Sequence, residues 1–540
     1  MRDGVVLRAN VYRPDRPGRW PVLLARTPYG KDLPDVSAWL DPIRAARQGF
    51  IVVVQDTRGR FSSDGDWEPF RFERADGYDT VEWAAALPGA SGRVGMYGMS
   101  YYANTQWLAA VERPPSLMAI APAMTWSEPL DGLLARGGAV ELGLAVPWSL
   151  QQGFDYLTRQ GDSSDDLNGR VDALIDECDR LPAEGYWELP VSDATVFRRH
   201  SVPDIGSSRA STRQAAAGSA GVAALHERVD LPTLHLAGWY DLFLQGTLDN
   251  YQAVAGSGHD CRLIVGPWTH ARFADGIGEL TFGIRSGRDA GYVYPGCDWT
   301  QIQLAWFRQH LTAERDVELP GARVRIFVMG RNEWRDESEW PPAQATRERW
   351  FLRSCGRLTL TPSTADESPS EFSYDPDNPV PSTGGNTFMA PSFGAGPLDQ
   401  RPIESRADVL AFTSEPLTSD LEVTGPVRVV LGAQSSAPAT DWVARLCDVD
   451  QAGRSVTLCD GIVRVADGAQ RRRRYEVDLW STSNVFLSGH ALRVHVTSSS
   501  FPRWDRNLNT GNQGAAASQC AQQTIFHHGQ LASYIELSVV

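Results

Sequence analysis

Cysteine is scarce and unpatterned in this 540-residue chain: seven residues, an odd number, run from Cys178 to Cys520 without a C-x-x-C pair. That excludes a disulfide framework and a zinc-knuckle pattern, and it suits a reducing compartment. There is no H-E-x-x-H and no clustered His/Cys set, so no metal is expected. No P-loop or dinucleotide fingerprint stands between a strand and a helix, so no cofactor is expected either. Apolar runs all fall short of the roughly 20 residues that span a bilayer. Positive charge is in deficit, Lys+Arg 51 against Asp+Glu 66, for a formal net charge of -15. This balance argues against nucleic acid and anionic membranes as main partners. The one dense basic block, Arg471 to Arg474, reads as a solvated loop or strand end. No secretory signal is visible in Met1-Arg2-Asp3-Gly4 and the strand-like residues after it, so the expected location is cytoplasmic, a missing leader being left open. The partners expected are a small-molecule substrate and, as one option, a second copy in a homodimer.

What is present is an ordinary globular composition, 42% hydrophobic and 22% charged, in a chain long enough for two to four domains. Eighteen tryptophans suggest aromatic-lined cavities as well as core. The informative stretch is Gly95-Met96-Tyr97-Gly98-Met99-Ser100-Tyr101-Tyr102-Ala103, an apolar strand pattern that turns through a serine into a helical one. A serine on such a turn is the nucleophile elbow of α/β-hydrolases, with the next amide, Tyr101 N–H, aimed at a developing oxyanion. The elbow pattern wants glycine two residues either side of the serine. Gly98 fits, but Tyr102 stands on the other side with Ala103 one place later, so the motif alone leaves a structural Gly/Ser turn equally open.

The surrounding periodicity favours the elbow. Strands are expected at 5–12, 22–25, 51–54, 94–97 and 117–121, with helices at 37–48 and 79–87 between them. That alternation predicts an α/β fold with a mostly parallel sheet, whose ligand site lies at the C-terminal strand ends after Ala25, Gln55 and Tyr97. Residues 127–223 read as a helical cap inserted in the core, with helices at 133–150, 165–181 and 193–199 and polar breaks such as 161–164. The rhythm then resumes with strands at 231–237, 262–265 and 324–329 and helices at 243–253 and 302–311. Residues 331–345 read as a boundary, and 341–540 as a β-sandwich of the jelly-roll kind, with strands at 427–431, 442–448, 455–465, 475–480, 491–498 and 534–540. The division expected is thus core 1–126, cap 127–223, core 224–340 and jelly roll 341–540.

A nucleophilic Ser100 needs an acid and a base in the chain order Ser, Asp/Glu, His. Among the ten histidines, His270 in Val265-Gly266-Pro267-Trp268-Thr269-His270 comes late and sits in a loop just after a strand. Asp241, in Ala237-Gly238-Trp239-Tyr240-Asp241, follows the preceding strand; its competing role is a cap on the helix near Phe243. Tyr29, after an early strand, reads on its own as a packing aromatic. Five segments resemble the cocaine esterase-like CocE/NonD family, related to X-Pro dipeptidyl peptidases and α-amino acid ester hydrolases. They are Arg26-Thr27-Pro28-Tyr29-Gly30-Lys31, Gln55-Asp56-Thr57-Arg58-Gly59, the elbow, and the Asp241 and His270 stretches. Further similarity in Phe327-Val328-Met329-Gly330 and Cys459-Asp460-Gly461-Ile462-Val463-Arg464 extends the resemblance through nearly the whole chain.

The resemblance implies a hydrolase core, an inserted helical cap and a C-terminal jelly roll. It implies Ser100, Asp241 and His270 as the triad, with the Tyr29 hydroxyl and Tyr101 N–H as the oxyanion hole. It also implies an aromatic acyl pocket, in which Trp148 and Phe243 match family positions and Phe388 or Met389 stands at another. A further pocket tryptophan of the family has no counterpart in residues 130–135. No carboxylate follows Asp241 in Leu242-Phe243-Leu244-Gln245, so recognition of a free α-ammonium is not expected. The expected activity is that of a serine carboxylesterase for apolar or aromatic acyl groups. An amide hydrolase of the X-Pro or β-lactam acylase type is the alternative, and an inactive binding protein the reading from another class.

Overall fold

Uninterrupted apolar segments make the central strands, because strands covered on both faces have no solvent side to alternate toward. The computed structural model describes residues 1–160, 164–193, 195–204, 220–288, 298–314, 317, 319, 321–364, 366–389, 391–511 and 517–540. Strands β1 (Ala9–Tyr12), β2 (Trp20–Thr27), β3 (Ile51–Asp56), β4 (Ala90–Met99), β5 (Leu117–Ala123), β6 (Thr233–Tyr240), β7 (Cys261–Thr269), β8 (Val324–Val328) and β9 (Glu333–Glu337) form one nine-stranded sheet. Their spatial order is β1-β3-β2-β4-β5-β6-β7-β8-β9. The pairings from β3 to β8 are parallel, and β1 and β9 close the edges antiparallel.

That order locates the site. From β2 the chain steps to one side for β3, returns across β2 for β4, and thereafter grows the other way. The loops after β2 and β4 therefore diverge, and such a switch point opens a crevice at the carboxyl ends of the strands. Helix α1 (Glu73–Ala85) packs with α2 (Tyr101–Ala110), and both lie against β2 and β4. Over β4, the Phe307 ring of α3 (Trp299–Leu311) occupies the space that a side chain at Gly95 would need.

Between β5 and β6 comes a helical insertion with α4 (Leu142–Thr158), α5 (Ser164–Arg180) and α6 (Thr195–His200). The expected break at 161–164 and parts of the expected cap fall on 161–163, 194 and 205–219, which lie outside the described residues. Leu142, Val146, Leu150 and Leu157 of α4 make a small core with Leu174, Val196 and Phe197, joined by Phe501 from the C-terminal region. The helix expected at 133–150 begins only at Leu142. Ahead of it Ala135–Arg136 pairs with Ala139–Val140 in a two-residue hairpin. Gly137 and Gly138 both have positive φ, +54° and +90°, as the tightest hairpin turns require.

The C-terminal region is mostly β and holds an eleven-stranded sheet, with a short helix at Arg401–Glu404. Its expected strands appear at Leu421–Ser435, Thr440–Val449, Ser455–Val465, Arg473–Phe486, Ala491–Thr497 and Tyr534–Val539. Thr346–Arg353, Ser370–Tyr374 and Ala521–Phe526 are further strands without an apolar run to announce them. The expected boundary at 331–345 instead contains β9, a core-sheet strand. Its charged residues suit an exposed sheet edge, where charge discourages pairing with other chains, and they mask the strand signal. Arg471 to Arg474 is exposed and runs into the strand beginning at Arg473. Core and C-terminal region share hydrogen bonds, Met329 N–H donating to Ser483 O at 3.1 Å and Val485 N–H to Met329 O at 2.8 Å.

Candidate active site

Ser100 follows the last residue of β4 and has φ +57° and ψ -125°, a left-handed backbone that a non-glycine residue seldom adopts. Its N–H is held by Ala123 O at 2.9 Å, and its carbonyl accepts from Ala103 and Asn104 N–H at 3.0 Å each. Gly98 is required beneath it, since a Cβ there would lie 2.1 Å from the Tyr102 ring. Tyr102 therefore takes the place of the second elbow glycine by folding its ring over the first. Gln106 braces the turn, donating to Gly98 O at 3.2 Å and accepting from Ala121 N–H at 3.0 Å.

The loop after β2 brings Tyr29 to the serine. Burial pushes its phenol up to about 12, against hydrogen bonds with Trp148 and Ser100 that pull the other way. The hydroxyl thus stays neutral across the working pH range and stands on the same cavity wall as Ser100. Lys31, two residues on, is the sole lysine of the chain; its N–H donates to Asp56 Oδ1 at 2.6 Å and its ammonium pairs with Asp32. Tyr101, at the first position of α2, points its own hydroxyl away to Glu73 Oε1 at 3.0 Å and accepts from Phe70 N–H at 3.0 Å. Glu73 forms a buried ion pair with Arg26, 2.8 Å apart, yet burial still raises its carboxyl above the ordinary range. Neither Arg26 nor Glu73 was separable by pattern from other charged residues.

Asp241 and His270 follow β6 and β7, adjacent parallel strands, and are both buried. His270 Nδ1 lies 3.2 Å from Asp241 Oδ2. Asp241 Oδ1 accepts from Phe243 N–H at 2.5 Å, so the turn-capping role and the histidine contact coexist on separate oxygens. Phe243 and Phe388 each stand 5.1 Å from the His270 ring, centroid to centroid. Of the other histidines, His235 is fully buried in β6 and burial lowers it to about 3.

One cavity of about 490 Å³ adjoins the serine and the histidine, while Asp241 and Tyr101 lie behind its wall. Tyr29, Ser100 and His270 lie on its wall with Trp126, Leu144, Trp148, Phe243 and Phe388. Met389 does not line it; its side chain is turned onto Gly143 of the cap, where a Cβ would meet the sulfur at 2.5 Å. Trp126 was missed in sequence, having no motif around it; it packs edge-on to Phe243 at 5.0 Å.

Comparison with known families decides the lineage. Residues 3–272 match the X-Pro dipeptidyl-peptidase (S15 family) model, and residues 320–536 match the X-Pro dipeptidyl-peptidase C-terminal non-catalytic domain. The chain belongs to the S15 family. Within reach of this S15 chain is the cocaine esterase of Rhodococcus sp. (strain MB1 Bresler), 37% identical over 100% of this chain and 97% of the relative. A putative serine esterase of Mycobacterium bovis is 23% identical over 92% of this chain and 88% of its own. Among solved structures, an aminopeptidase from a Thaumarchaeota archaeon superposes with a TM-score of 0.80 at 22% identity, covering 100% of this chain and 95% of that one. An α-amino acid ester hydrolase gives 0.78 at 23%, with the same coverages. A CocE/NonD family hydrolase from Staphylococcus aureus gives 0.71 at 18%, covering 100% and 92%. S15 members are serine hydrolases, and the inactive-scaffold reading is set aside.

Proposed function

We propose that this serine ester hydrolase cleaves esters of apolar or aromatic acids by two-step acyl transfer at Ser100. The observation that carries the reading is the left-handed Ser100, sharing one cavity wall with the Tyr29 hydroxyl and with a His270 that touches Asp241. Ser100 Oγ attacks the ester carbonyl while His270 Nε2 takes its proton, and Asp241 holds Nδ1–H and stabilises the imidazolium. The carbonyl oxygen gathers negative charge between the Tyr29 hydroxyl and Tyr101 N–H. Collapse expels the alcohol with the proton from His270, leaving an acyl-serine that water then cleaves by the same steps.

The acyl group is proposed to sit among Trp126, Leu144, Trp148, Phe243 and Phe388, rings and methyls that favour a flat apolar acid. No aspartate or glutamate lines the cavity among the described residues, which supports a neutral acyl group over one bearing an α-ammonium. The second reading, amide hydrolysis, is favoured by the family match over residues 3–272. The test is burst kinetics with p-nitrophenyl acetate and p-nitrophenyl benzoate on the native protein and Ser100→Ala. A stoichiometric burst lost in the variant is expected, with benzoate the faster acyl donor. Absence of turnover on both, with proline dipeptide amides cleaved, would replace esters by amides.

A further inference from the structure

The acid of the triad stands at the end of β6, where the strand stops but the chain stays buried. Main-chain carbonyls at such a point have lost their ladder partners and need donors from elsewhere. At Trp239 and Asp241 a single side chain supplies them. Asn386 Nδ2 donates to Trp239 O at 2.8 Å and to Asp241 O at 3.0 Å, using both amide hydrogens on two carbonyls two residues apart. Asn386 is 2% exposed and comes from the C-terminal region, 145 positions along the chain from Asp241.

The segment carrying it is itself braced. Gly385 and Gly396 exchange hydrogen bonds, 2.7 and 2.9 Å, and Thr387 Oγ1 donates to Gly394 O at 3.2 Å. Two residues past Asn386, the Phe388 ring lies against the His270 imidazole. One short loop thus touches the acid through its backbone and the base through its ring. We propose that Asn386 is a positioning residue for catalysis: from a region described as non-catalytic, it fixes the loop that aims Asp241 at His270. The idea rests on Asp241 and His270 acting as proposed above.

The test compares native protein with Asn386→Leu, alike in branching but without donors, and Asn386→Gln, which keeps an amide. Rates are taken per active site titrated by the acyl burst, so that unfolded protein does not count. Asn386→Leu is expected to lower kcat by about 10- to 100-fold, as misaligned catalytic groups do, with KM within about threefold. Its acidic limb in kcat/KM is expected to move to lower pH, because a carboxylate turned aside supports the imidazolium less. Asn386→Gln is expected to recover part of both effects. An unchanged kcat per titrated site and an unchanged limb, whatever happens to Tm, would reduce Asn386 to a structural contact and overturn the proposal. If Asn386→Leu does not fold, Asn386→Ser, with one donor, is read by the same two criteria. Full activity in Asp241→Asn would instead sink the triad assignment, a separate result.

Discussion

At the scale of single residues, the Tyr29 hydroxyl is the group whose role is easiest to isolate. Tyr29→Phe keeps the ring and removes the donor, so kcat is expected to fall about 10²-fold or more, the usual cost of one oxyanion-hole donor. KM should change little, and a Tyr29→Phe enzyme with native kcat would assign the hole to other donors. Since burial carries the phenol up to about 12, no alkaline loss of activity below about pH 10 is expected from its ionisation. Ser100, Asp241 and His270 were legible because chemistry restricts them: a serine on a strand-to-helix turn, then an acid and a histidine each just after a strand. Tyr29 was not legible as a candidate donor without the family resemblance, since a tyrosine in a loop has the same pattern whichever way its hydroxyl points. Asn386 left no trace in sequence, because its role exists only once two remote segments meet.

At the scale of elements, most core-sheet strands declared themselves through apolar or alternating runs, whereas the charged edge strand β9 did not. Glu333–Glu337, at the sheet edge, carries charge that water tolerates there and that reads as loop, and Thr346–Arg353 opens on charged residues that read the same way. The hairpin before α4 was hidden inside a helical pattern, its only mark being the glycine pair. Helix α7 (Leu244–Ala255), which follows the acid loop, offers a prediction of its own. Asp249 is raised to about 6, first by burial, with Asp131 and Asp478 adding to it and the Gln245 hydrogen bond opposing. A carboxyl whose folded value lies above its unfolded one costs nothing while protonated in both states, below about pH 4. It withdraws stability as pH climbs through about 6. Asp249→Asn should therefore add stability at pH 8 on the order of 1–2 kcal/mol, seen as a higher urea midpoint, and leave the midpoint unchanged near pH 4. Equal midpoints at pH 8 would remove Asp249 as a source of strain.

At the scale of the whole molecule, the cap hairpin is locked into the C-terminal region by buried charge. Arg136 lies 3.5 Å over the Trp480 ring and donates to Asp460 O at 2.7 Å. Arg503 pairs with Asp460 at 2.6 Å, while Glu141 accepts from Trp504 Nε1 at 2.8 Å. Removing one member strands the others, so Arg503→Met is expected to cost about 3–5 kcal/mol, seen as a lower urea midpoint in tryptophan fluorescence. An unmoved midpoint would mean that the seam carries no stability. The same seam explains why domain texture was readable while domain cooperation was not: periodicity reports what each stretch is, and contact across 300 residues reports nothing to its neighbours in sequence.

The lone ammonium of Lys31 has a practical corollary. With every other basic side chain a guanidinium or imidazole, acylating reagents meet only this amine and the chain's α-amino group. Lys31 stands two residues beyond Tyr29, which shares a cavity wall with Ser100, so a label there becomes a reporter in the loop proposed to supply an oxyanion donor. Coupling the protein to a support through this lysine tethers it by that loop, and turnover should then differ from that of the free protein.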